Sequence, residues 1–202
     1  MSNYNEIVRN WRANWKTKSK YLSIKGCTTI DEVLEIAVKK AHSPSVARAL
    51  KLDGLKTIKP RKEAEEYLIN EIKDKINKTL SELEYDLWVE KICERIRTIY
   101  RNYNILDYTY GNAQKLFNMT IKYIFSSDNV DPHLPIFKVA HIPIDGIIMK
   151  IINKKLNVRK MPKAWSKTDE YKDIKDYQIE YRNALPENYT PLLWECENWE
   201  NN

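Results

Sequence analysis

The chain is short of the residues that bend and staple a backbone. Four glycines and eight prolines in 202 residues are too few for the many turns of a β-sandwich or barrel. The three cysteines, Cys27, Cys93 and Cys196, are odd in number and widely spaced. They make no disulfide framework and suit a reducing compartment, so a cytosolic location is expected. No apolar run exceeds three residues, so nothing in the chain is long enough to cross a bilayer, and no membrane association is expected. The opening MSNYNEIVRNWRANW lacks the apolar stretch of a signal peptide.

Several chemical signatures are missing too. There is no GxGxxG and no GxxxxGK[ST], which removes the dinucleotide fingerprint and the phosphate loop, and no cofactor is expected. His42, His133 and His141 pair neither with one another nor with cysteine at metal-ligand spacing, so no metal is expected. GxSxG and HExxH are also absent.

What the chain does have is a core and a charge gradient. It is 43% hydrophobic, with six Trp and 13 Tyr to fill an interior, and carries a net charge of +6. Residues 1–62 hold 14 Lys and Arg against 5 Asp and Glu, residues 63–186 are almost balanced, and the last 16 residues hold four acids and no base. A basic end on a neutral body suits an anionic partner, most often a nucleic acid.

Helical periodicity runs through almost every segment. Tyr4, Ile7, Val8, Trp11 and Trp15 predict a helix over about 3–19. Thr29 to Glu32 and Ser81 to Glu84 are capping boxes, in which hydroxyl and carboxylate satisfy backbone N–H groups reciprocally. The second opens a helix to about Asn102 with an apolar stripe of Leu87, Trp88, Ile92, Ile96, Ile99 and Tyr100. Ser43 and Pro44 predict a short helix ended by Gly54, and further helices are expected over about 61–78, 111–125, 143–156, 168–184 (capped by Ser166) and from Thr190. Only 56–59 and 137–141 resemble strands, and weakly. The expected fold is all-α, an irregular bundle of about seven to nine helices with little or no sheet. Any boundary falls near Gly54–Pro60, giving a basic helical region over 1–58 and a main helical domain over 59–202.

Within the helix over 111–125, Gly111, Lys115, Asn118 and Lys122 lie at steps of four, three and four on one line, with no acid among them. Other helices alternate Lys with Glu or Asp, so this row, with Gln114 beside it, reads as a phosphate or base-edge contact surface. Gly111 removes a side chain where a ligand could approach the backbone. In HIPID, His141 and Asp145 are a candidate acid–base pair, and Lys115 is a third candidate for chemistry. Capping accounts for Ser166 and Asp169 and leaves Trp165 and Lys167 for stacking and charge. In the first helix, Arg9, Arg12, Lys16 and Lys18 surround tryptophans whose period turns them inward, leaving a basic outer face.

The expectation is therefore a nucleic-acid-associated binding protein of a bacterial or mobile-element type. Its contacts would come from Arg9, Arg12, Lys16, Lys18, Lys115, Asn118, Lys122 and Lys167. Two alternatives stand beside it. One is an enzyme acting on a nucleotide or nucleic acid through Lys115, His141 and Asp145, and the other is an interaction module docking an acidic protein.

Overall fold

A computed structural model describes residues 2–18, 27, 29–42 and 54–199, and among them the fold is all-α, with nine α-helices and no strand. The helices are α1 Ser2–Lys18, α2 Ile30–Ala41, α3 Gly54–Lys75, α4 Glu82–Asn102 and α5 Tyr110–Phe125. They continue with α6 Ile136–Val139, α7 Gly146–Leu156, α8 Tyr171–Asn183 and α9 Pro191–Trp199, and a 3-10 turn, Trp165–Lys167, precedes α8.

Both predicted capping boxes form. Thr29 Oγ1 accepts from the Glu32 N–H at 3.3 Å while Glu32 Oε2 accepts from the Thr29 N–H at 3.2 Å, and Ser81 with Glu84 repeats the arrangement. A third box opens α5, where Thr109 caps and Asn112 reaches back. Its N3 residue is an amide too short to match the usual Glu or Gln pattern.

Five expectations are corrected. Gly54 does not end a helix but begins α3, which runs unbroken through Lys56–Lys59 and over Pro60, so the first strand candidate is helical. The predicted helix at Ser43–Pro44 lies outside the described residues. Phe137–His141 is not a strand either: α6 occupies Ile136–Val139 and the chain then runs extended to Asp145, pairing with side chains instead of a neighbouring strand. Ser166 sits inside the 3-10 turn, and α8 starts later, at Tyr171, without a side-chain cap. Leu87 is 45% exposed, one position off the buried stripe that Trp88, Val89, Ile92, Ile96, Ile99 and Tyr100 form.

Helix α5 is the axis of the molecule. It packs against α2, α4, α8 and the 3-10 turn; α2 also packs on α3, and α3 on α4. The first and last helices, α1 and α9, lie against each other, and α9 touches α6 and α7 as well. One apolar cluster joins Ile7, Val8 and Trp11 of α1 to Val33 and Leu34 of α2, Phe117 of α5 and Leu192 of α9. Trp11, Trp88 and Phe117 are buried as their spacing predicts. Three tethers hold α1 to the loop after α5: Trp11 Nε1 donates to Ser126 Oγ at 2.8 Å, the Arg12 guanidinium donates to the carbonyls of Phe125 and Val130, and Tyr4 donates to the Pro132 carbonyl.

Candidate functional site

The row on α5 exists as its spacing dictates, but it faces inward. Gln114 Nε2 donates to the Ile144 carbonyl at 2.9 Å and its Oε1 accepts from the Ile144 N–H at 3.1 Å. Asn118 Nδ2 donates to the Ile142 carbonyl at 3.1 Å, and Gln178 of α8 donates to the same oxygen at 2.7 Å. A buried extended segment must satisfy its backbone groups somewhere. Residues 141–145 have no partner strand, so side-chain amides stand in for one. Gly111 is explained in the same way. A Cβ there would lie 1.6 Å from the Trp165 carbonyl oxygen, and the Gly111 N–H donates to the Thr168 carbonyl at 3.0 Å. The backbone that approaches Gly111 is the 3-10 turn of this chain, not a ligand.

The two cations of the row meet acids supplied by other elements. Lys115 Nζ lies 3.3 Å from Asp145 Oδ2 and 4.5 Å above the Trp165 ring. Lys122 is 1% exposed; its Nζ is 2.7 Å from Glu195 Oε1 and sits over the rings of Trp11 and Trp199. Asn118 and Lys122 are therefore enclosed in the core and do not present themselves to a surface polyanion, which corrects their expected role.

The expected pairing of His141 with Asp145 is also corrected. Asp145 caps α7, its Oδ1 accepting from the N–H groups of Ile147 and Ile148. His141 instead turns to α4, where its Nε2 donates to Asp86 Oδ1 at 2.6 Å. Arg182 of α8 donates to both oxygens of the same carboxylate. Burial lowers the His141 pKa, although Asp86 pulls the other way. Burial would raise Asp86, but the hydrogen bonds and charges of His141 and Arg182 outweigh it and hold the carboxyl below its ordinary value. The result is a buried imidazole tied through one nitrogen to a carboxylate that Arg182 also holds. Among the described residues, no three His, Cys, Asp or Glu side chains converge on a position that could hold a metal.

Of the N-terminal cations, Arg9 is exposed and Arg12 is turned in against carbonyls. The side chains of Lys16 and Lys18 lie outside the described residues. Lys167 is exposed on the 3-10 turn.

The surface that sequence reasoning missed surrounds Lys167. Residues 146–168 contain seven cations, Lys150, Lys154, Lys155, Arg159, Lys160, Lys163 and Lys167, and no acid. All seven are exposed. Ile148, Ile151 and Ile152 turn α7 inward, so Ile147 (56% exposed), Lys150 and Lys154 share its outer face. Asn157 ends the helix in the left-handed region, φ 53°, and swings the chain into the basic loop. Arg159 touches Glu180 at 4.0 Å and Lys155 donates to Asn198; the other five have no ion pair among the described residues. Many cations elsewhere are paired, as in Lys39–Glu35, Lys62–Glu66, Lys73–Asp31 and Lys78–Asp74. A charge count over a window of about twenty residues would have found the strip. The count over 63–186 averaged it with the acids of the rest of that stretch.

Set beside known proteins, the chain matches no family model, no curated protein and no solved structure, which leaves this surface and its chemistry to carry the functional argument.

Proposed function

We propose that the chain binds a nucleic acid through the basic strip of α7 and the loop that follows it. The observation that carries this reading is the acid-free run over 146–168, with all of its cations at the surface. Unpaired surface cations gain little from the protein itself but exchange condensed counterions for phosphate contacts when a polyanion arrives. The outer face of helix α7 carries Lys150 and Lys154, and the segment after it carries the exposed Lys160, Lys163 and Lys167. Gly111 and Thr168 pin the far end of that loop to α5, so the strip is held to a fixed frame.

Fluorescence anisotropy with labelled single-stranded RNA, single-stranded DNA and duplex DNA, each titrated across a range of NaCl, tests the proposal. The log of the binding constant should fall linearly with log salt. Replacing Lys150, Lys154, Lys160 and Lys163 with Ala should flatten that slope by about 0.9 per lost contact on duplex and about 0.7 on single strands. An unchanged slope and affinity would overturn the reading. Equal binding of poly-glutamate at the same salt would move the partner to an acidic protein, and binding confined to anionic vesicles would move it to a membrane surface.

A further inference from the structure

The first helix, the turn after α5 and the approach to α9 leave a groove between them, on a part of the surface where the basic strip contributes no lining residue. Its volume is about 610 Å³, within the range of about 300–1,000 Å³ usual for small-molecule sites. The floor is apolar, formed by Ile7 and Leu193. One wall is a pair of stacked rings, Tyr4 and His133, with centroids 4.9 Å apart and planes 28° from parallel. That wall is fixed in place: Tyr4 donates to the Pro132 carbonyl at 2.6 Å, and His133 Nε2 lies 3.0 Å from Asn5 Oδ1. Burial pushes the Tyr4 hydroxyl up to about 12, so it remains a donor. Tyr189 faces in from the α9 side, its hydroxyl tied to Glu197 at 2.6 Å.

The charge of the lining has one sign. Lys138 is its one formal cation, exposed and without an ion pair among the described residues, and no acid lines the groove. Of the carboxylates bonded to lining residues, Asp131 accepts from the His133 N–H and Glu197 accepts from the Tyr189 hydroxyl. Asparagine amides at positions 5 and 188 provide donors and acceptors at the rim.

We propose that this groove is a binding site for a small planar ring system bearing a single anionic group, with the ring against the Tyr4–His133 wall and the anion at Lys138. Aromatic walls over an apolar floor favour a flat ring, and an unpaired lysine in a wall without acids favours a carboxylate or phosphate.

Isothermal titration calorimetry of the full chain with adenosine 5′-monophosphate, adenosine and indole-3-acetate tests it. At least one of the two anions should bind saturably, with adenosine about tenfold weaker than its monophosphate, as expected for loss of a charge-assisted contact. Binding of both anions identifies a general ring-anion site, and binding of the monophosphate alone a nucleotide site. Lys138→Ala should weaken the bound anion about tenfold or more, and Asn188→Trp, a rim substitution that fills the groove, should abolish binding. Both positions are exposed, so the variants should keep the wild-type circular dichroism. The strip variant lacking Lys150, Lys154, Lys160 and Lys163 should bind as wild type, so this result stands or falls separately from nucleic-acid binding. Absence of saturable binding by either anion, or binding lost in the strip variant but kept in Lys138→Ala and Asn188→Trp, overturns the proposal.

Discussion

Lys122 is a residue whose chemistry is decided by what surrounds it. Burial pushes the Glu195 carboxyl up and Lys122 pulls it back part of the way, with the lysine set over two indole rings. A buried pair of this kind adds little against apolar residues of the same volume, yet breaking it leaves one charge stranded. Lys122→Met and Glu195→Leu should each cost about 3–5 kcal/mol in urea unfolding, whereas the double variant should fall within about 1 kcal/mol of wild type or above it. Additive losses in the double variant would contradict this. A helical wheel places Gly111, Lys115, Asn118 and Lys122 on one line but says nothing of which line faces out. In α5 no long stretch faces out: thirteen of its residues are buried. The absence of acids in the row was a true signal, but of acids arriving from α9 and from the segment before α7.

At the scale of elements, the two capping boxes and most helix spans were legible because they rest on local rules, hydroxyl before carboxylate and apolar residues every three or four positions. The 137–145 stretch was not, because its extended half is stabilised by amides from α5 and α8 that lie far away in sequence. The start of α7 shows how one side chain serves both kinds of contact. Asp145 caps two N–H groups with one oxygen and meets Lys115 with the other. Asp145→Asn should keep the cap and lose only the ion pair, a loss of about 1 kcal/mol or less, while Asp145→Ala should lose about 1–2 kcal/mol more. Thermal melts of the two variants separate the contributions. If they melt together, the cap contributes nothing, and the orientation of α7 comes from Ile148, Ile151 and Ile152 alone.

At the scale of the whole molecule, two buried imidazoles tie stability to pH. Burial lowers the pKa of His42, with Glu65 opposing it, and burial likewise lowers His141 against the pull of Asp86. The unfolded chain therefore binds more protons than the folded one between the ordinary imidazole value near 6.5 and the lower folded values. Stability should be full above about pH 7 and fall as the pH drops through that window, by up to about 1.4 kcal/mol per pH unit for each group. The loss of the depressed Asp86 carboxylate follows below about pH 4. Urea midpoints at pH 7.5 and 5.5 measure it; His42→Gln or His141→Gln should each flatten the slope, and a flat wild-type profile would sink the argument. The contact of α1 with α9 also orders events in time. As the chain leaves the ribosome, Lys122 must wait 73 residues for Glu195, and α1 waits longer for the part of its cover that α9 supplies. Until α9 emerges, the nascent protein lacks both the carboxylate that Lys122 meets and the last element packed on its first helix, so protease resistance should appear only once α9 has left the ribosome and not at an earlier point in translation.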